Sequence, residues 1–150
     1  MTEQADILNC LGRDFVFSID TQGRVAIPAE WRENGRQNVF MLIPGKEATL
    51  QLYPVAVFSE RIMPKLKALS AANPDDLRKL RTLGSNIYKC ECDKQGRIQL
   101  PAKLIEFAHL GKRAALIGSG DFGQIMSAER WEAEQKNQEM SGDSFLDILG

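Results

Sequence analysis

Asp20-Thr21-Gln22-Gly23-Arg24 and Asp93-Lys94-Gln95-Gly96-Arg97 are two copies of one phrase, set 73 residues apart in a chain of 150 residues. Each copy places a carboxylate, a glycine and an arginine within a few positions of one another. The carboxylate can accept backbone N–H groups of a turn, and the glycine supplies the conformational freedom that reverses the chain. Asp20, Gly23, Asp93 and Gly96 are therefore expected to be structural residues of the turns. A turn does not require the arginines. A guanidinium displayed beside a turn offers a planar fork of donors matched to a phosphate or to the edge of a guanine. Two readings of Arg24 and Arg97 stay open at this level. Either each pairs with its own aspartate and fixes the turn, or the two forks together hold a polyanion. Duplication favours the second, because two equivalent forks suit a repeating polymer and are seldom needed for a small molecule. Thr21, Gln22, Lys94 and Gln95 lie on the same loops and can reach phosphates or base edges.

Other residues do not assemble into a competing chemistry. No Ser-His-Asp or Cys-His set gathers near one loop, and Gly118-Ser119-Gly120 lacks the lysine and the strand-to-helix setting of a phosphate-binding loop. Asp75 and Asp76 suit the start of a helix, where carboxylates meet the positive end of the dipole. No enzyme, cofactor or small-molecule substrate is expected. Cys10, Cys90 and Cys92 form an odd set, poor material for a disulfide framework and better suited to a reducing compartment. Cys90 and Cys92 share a face of a strand and read as core thiols. A closed zinc site would also need Cys10 and the lone His109 to converge on them, so no metal site is expected.

The net charge of −1 argues at first against a polyanionic partner. Its distribution does not. Residues 121–150 carry seven acidic and two basic side chains, which leaves residues 1–120 with a net charge of +4. The body is basic and the C-terminal segment masks it, so a nucleic-acid partner remains open. Hydrophobic residues make up 43% and charged residues 26%, ordinary proportions for a globular protein, and no apolar stretch is long enough for a membrane span. The acidic N-terminus lacks the basic start and long apolar run of a secretory signal, so a cytoplasmic protein without a membrane partner is expected.

The elements that must position the two turns follow the same order in each half. In the first, Phe15, Phe17 and Ile19 alternate as a strand, the turn follows, and Val25 and Ile27 return. Pro28 opens a short helix, Ala29 to Asn34, stopped by Gly35. Strands Val39 to Ile43 and Thr49 to Tyr53 flank the turn at Pro44-Gly45-Lys46-Glu47. In the second half, strands Ile87 to Cys92 and Arg97 to Leu100 flank the turn. Pro101 opens a helix from Ala102 to His109, and strands Ala114 to Ile117 and Gln124 to Met126 follow. Leu42 matches Leu116 and Leu52 matches Met126, each at a separation of 74, one more than the motifs. Helical material follows each copy: Val55 to Leu69, bent or broken at Pro64; a helix from Asn73 to Gly84; and Ser127 to Met140. The apolar tail Phe145-Leu146-Asp147-Ile148-Leu149 either docks on the body or contacts another subunit.

These short strands with attached helices do not make the alternating run of a doubly wound sheet. The expected fold is α+β, mainly β. It is a small antiparallel barrel of the swapped-hairpin type, built from two pseudo-symmetric halves with short peripheral helices. One domain spans 1–150, with halves at 13–84 and 85–140 and a tail at 141–150.

With the two Asp-x-x-Gly-Arg turns leading into Ile27-Pro28-Ala29 and Leu100-Pro101-Ala102, the chain resembles the MraZ family of bacteria. The resemblance runs over nearly the whole chain. It includes Gly12, Leu52-Tyr53-Pro54, Leu116-Ile117-Gly118, Ile125 and Trp131. It implies an AbrB-like, internally duplicated transcriptional regulator located in the cytoplasm and at the nucleoid. Such a protein would form a ring-like homo-oligomer and bind short direct repeats of double-stranded DNA upstream of the division and cell-wall gene cluster. Arg24 and Arg97 would be the DNA-contacting arginines. Many relatives carry Lys before the motif glycine where this chain has Gln22 and Gln95, which removes two positive charges from the expected surface. The lead at residues 1–11 is longer than is usual. An antitoxin-like module or a scaffold for protein interaction, with purely structural turns, is the alternative.

Overall fold

Phe15 and Phe17 alternate with the exposed Asp14, Val16 and Ser18, so one face of Asp14–Ser18 is apolar and the segment folds as a half-covered strand, β1. The computed structural model describes residues 10–33, 37–138 and 141–150. Its further strands are β2 (Arg24–Ala26), β3 (Val39–Pro44), β4 (Leu50–Pro54), β5 (Tyr88–Glu91), β6 (Arg97–Gln99), β7 (Arg113–Gly118) and β8 (Gly123–Ser127). Six of them form an antiparallel sheet in the order β1-β7-β8-β4-β3-β5, and β2 pairs with β6 as a separate ribbon.

The two halves exchange strands. β1 of the first half pairs with β7 of the second, with Phe17 opposite Ala114. β5 of the second pairs with β3 of the first, with Cys90 opposite Phe40. Two central pairings mark the local two-fold relation, Val25 opposite Ile98 in the ribbon and Gln51 opposite Gln124 in the sheet. Each pairs a residue with its own counterpart 73 positions on. Val25, Leu42, Leu50, Leu52, Leu116 and Ile125 are fully buried between the ribbon and the sheet. Truncating one of these leucines or Ile125 to Ala costs about 2–5 kcal/mol, because both the transfer energy and a cavity are at stake.

Of the expected small antiparallel barrel of swapped hairpins, the described residues show the antiparallel pairing and the exchange of strands, laid out as this sheet and ribbon. After β1 and β5 the chain bonds back across its own turn, Asp20 N to Arg24 O at 3.0 Å and Asp93 N to Arg97 O at 2.9 Å. Neither hairpin extends its ladder further, so β2 and β6 join each other rather than the sheet. The architecture is mixed α/β with a mainly antiparallel sheet.

Register corrects one equivalence. Leu42 lies opposite Leu52 in the first half, and Leu116 lies opposite Ile125 in the second. Leu52 therefore matches Ile125, not Met126. The β3–β4 connection spans 45–49 and the β7–β8 connection spans 119–122, so the first is one residue longer and cancels the earlier offset. That longer connection holds Glu47 and Ala48 at positive φ, 59° and 55°.

The helices differ from expectation mainly at their ends. Where a helix from Ala29 to Asn34 was expected, a 3₁₀ turn covers Ala29–Trp31 and Arg32 is already extended. Trp31 is buried edge-on against Phe15 and donates Nε1–H to Gly12 O, which draws the chain away from the helical path. Asn34 and Gly35 lie outside the described residues, as does Met140. The Pro64 region breaks into α1 (Val55–Arg61) and α2 (Met63–Lys67), with the break at Ile62 because the proline ring clashes with the preceding turn. In α3 (Pro74–Gly84), Asn73 caps as expected, its side chain accepting from Asp75 N and Asp76 N. α4 (Ala102–Phe107) stops short of His109, whose φ of 52° leaves the helical region. α5 (Ala128–Lys136) is capped by Ser127. The tail forms α6 (Gly142–Leu149), with Phe145, Leu146, Ile148 and Leu149 exposed rather than docked on the body.

Candidate nucleic-acid interface

Pairing of β2 with β6 brings the two turns together. In each turn one carboxylate oxygen takes two backbone donors. Asp20 Oδ1 accepts from Gln22 N at 2.9 Å and Arg24 N at 2.8 Å. Asp93 Oδ1 accepts from Gln95 N and Arg97 N, each at 2.9 Å. The other oxygen takes the arginine: Arg24 Nε donates to Asp20 Oδ2 at 2.7 Å, and Arg97 Nε donates to Asp93 Oδ2 at 2.9 Å. Gly23 and Gly96 sit at φ 80° and 79°, a conformation that side chains rarely adopt and that closes both turns.

Two further bonds cross between the turns, Leu100 N to Gly23 O and Ile27 N to Gly96 O, both at 2.9 Å. Arg97 Nη1 also lies 3.7 Å from Asp20 Oδ2. The turns thus form one connected surface. Thr21, Gln22, Lys94 and Gln95 are all exposed at its tips. The side chains of Arg24 and Arg97 are 33% and 29% exposed.

The backbone N–H of Arg24, helped by its guanidinium, holds the Asp20 carboxyl below its ordinary value of 3.8. Arg97 does the same for Asp93. Both carboxyls are thereby kept ionised, and each orients its arginine through Nε. Such a surface can grip a phosphate or a base edge.

Two side chains that hold the turns were not apparent from the motif. Gln99 Nε2 donates to Gln22 O at 2.6 Å from across the ribbon. Arg32 lies against Gly96, and its Nε donates to Ile27 O at 3.2 Å. Comparing positions 73 apart marks both as departures from the repeat, with Gln99 at the place of Ala26 and Arg32 at that of Ile105, but does not give their contacts.

Cys90 and Cys92 are buried as expected. Among the described residues no group of His, Cys, Asp and Glu could hold a metal ion, and no helix is long and apolar enough to cross a membrane.

A family model described as "MraZ protein, putative antitoxin-like" matches residues 11–82 and again residues 84–144. The chain belongs to the MraZ family. Relatives named transcriptional regulator MraZ include one from Pelotomaculum thermopropionicum, 40% identical over 77% of this chain and 78% of its own. Another, from Marinomonas sp., is 37% identical over 87% of this chain and 88% of its own. A third, from Desulforamulus reducens, is 34% identical over 91% and 97%. Each stretch matched by the MraZ model contains one Asp-x-x-Gly-Arg turn, so the duplication in the fold is also a duplication of the family unit.

Proposed function

We propose that this chain is a sequence-specific DNA-binding transcriptional regulator, with Arg24 and Arg97 as its principal contacts and Thr21, Gln22, Lys94 and Gln95 around them. The observation that carries this reading is the fusion of two arginine-bearing turns into one exposed surface by the β2–β6 ribbon. The names of the relatives support it. Phosphate contacts supply most of the affinity, and Arg or Gln contacts to base edges supply selectivity.

The favoured target is double-stranded DNA with short direct repeats in the promoter region of the division and cell-wall gene cluster, bound at the nucleoid by a ring-like homo-oligomer. Several weakly bound turns held at fixed spacing gain affinity through effective concentration. The exposed apolar face of α6 supports assembly, because four large apolar side chains left in water favour a partner surface.

The Nε–carboxylate pairs also suit an inert turn, which keeps an antitoxin-like or scaffold module as the second reading. Binding to the DNA upstream of the chain's own gene, compared with the same bases shuffled, separates the two. The regulator reading predicts preference for the native order, diminished by Arg24→Ala and Arg97→Ala. Equal, arginine-independent binding to both DNAs favours the module.

A further inference from the structure

The two turns are built alike but are held by unlike side chains. A Cβ placed on Gly96 would stand 2.5 Å from Arg32 Cζ and 2.6 Å from its Nη1, so the guanidinium lies directly against this glycine. Arg32 comes from the first half, just beyond the turn Ala29–Trp31, yet it serves the turn of the second half. Its Nε donates to Ile27 O, and Ile27 N donates to Gly96 O, which ties the three residues into one arrangement. The counterpart of Arg32 beside Gly23 is Ile105, whose Cδ1 would lie 3.3 Å from a Cβ on that glycine. The second turn has a guanidinium against it, and the first has only uncharged side chains, the Gln99 amide at 3.0 Å and Ile105.

Charge at the tips adds to this difference. Around the second turn stand Arg97, Lys94 and Arg32 against Asp93. Around the first, Arg24 stands against Asp20, with the uncharged Thr21 where the second turn has Lys94. Among the described residues, the ion pair between the turns runs from Arg97 to Asp20. The backbone of the two turns obeys the two-fold relation and the charges around them do not.

On the reading that the turns bind DNA, we infer that Arg32 is a third guanidinium of the binding surface, serving the second turn alone, so that each subunit meets DNA with a stronger and a weaker turn. A symmetric pair of turns would read both directions of the duplex alike, as palindromic sites do for two-fold dimers. Unequal turns give the bound element a direction. Head-to-tail repeats fit such a subunit, and inverted ones do not.

The test uses the full-length protein and fluorescence anisotropy on labelled duplex from upstream of its gene, titrated across 50–200 mM salt. Arg32→Ile gives the second turn the side chain of the first. Loss of one phosphate contact flattens the slope of log affinity against log salt by about 0.9. Across that range the salt-induced fall in affinity shrinks by about 3.5-fold. Arg32→Lys keeps the slope, and Arg32→Gln, which keeps a donor for Ile27 O without the charge, loses it as Arg32→Ile does. Adding Ile105→Arg to Arg32→Ile restores it.

An unchanged slope in both Arg32→Ile and Arg32→Gln overturns the role of Arg32. So does a slope that Arg32→Lys fails to retain, since the residue then acts only by holding the turn. If Arg24→Ala and Arg97→Ala weaken binding while the Arg32 variants do not, only this role is lost. If none of them alters binding, the DNA reading itself is lost.

Discussion

Arg97 Nη1 lies 3.7 Å from Asp20 Oδ2, so the carboxylate that orders the first turn also faces the arginine of the second. The same carboxylate holds Arg24 through Nε at 2.7 Å. Two motifs 73 residues apart in the chain are thereby one electrostatic unit. Their spacing is set by three-residue strands, which leave little room for one turn to move without the other.

Acid should loosen this unit. The carboxyls of Asp20 and Asp93 are held below 3.8 in the fold, first by the backbone N–H groups of Arg24 and Arg97. Unfolded, they return to the ordinary value. Their contribution is therefore complete above about pH 4 and is lost as the pH falls through the lower folded value. Thermal unfolding followed from neutral pH down to about pH 2 should show a steeper fall below pH 4 for the native protein than for Asp20→Asn/Asp93→Asn. Parallel profiles would contradict this.

Separated halves should not fold alone. Residues 13–84 lack the strand that covers β1, and residues 85–140 lack the strand that covers β5, because each is supplied by the other half. Circular dichroism of either fragment should show largely unfolded chain, and mixing them should restore β structure. A fragment with a cooperative unfolding transition of its own would show that the strand exchange is dispensable.

The buried thiols make a third expectation. Burial, with Cys92 adding to it, pushes the Cys90 thiol up to about 11. Burial also raises Cys92. Well below 9.0 neither state ionises these thiols, and as the pH rises through 9.0 towards about 11 the unfolded chain loses a proton that folded Cys90 keeps, so stability falls as pH rises. Cys90→Ala should flatten that fall. At mildly alkaline pH a thiol reagent should titrate only the exposed Cys10 rapidly, and Cys90 and Cys92 after unfolding. Equal native reactivity of all three would contradict their burial.

Much of this was legible in particular residues. Asp20 and Gly23, with their counterparts Asp93 and Gly96, announce the turns, because few other residues supply a backbone-capping carboxylate and a positive φ. Asn73 and Pro74 announce a helix start for equally local reasons. What was not legible depends on contacts distant in the chain. Nothing local in Trp31 tells that its indole reaches Gly12 O and shortens the helix after Pro28. Nothing in Arg32 alone tells that it lies on Gly96, because that contact exists only once the halves have exchanged strands. The equivalence of Leu52 and Ile125 also required the paired strands, since a one-residue difference can sit at either end of a loop.

The most direct measurement is the affinity of Arg24→Ala, Arg97→Ala and the double variant for the native upstream duplex over a salt series, with folding checked by thermal unfolding. Each arginine that contacts a phosphate should take about 0.9 from the salt slope, and each that reads a base edge should cost about 1–3 kcal/mol on the native sequence alone. A folded double variant that binds with the affinity, slope and sequence preference of the native protein would contradict the central claim.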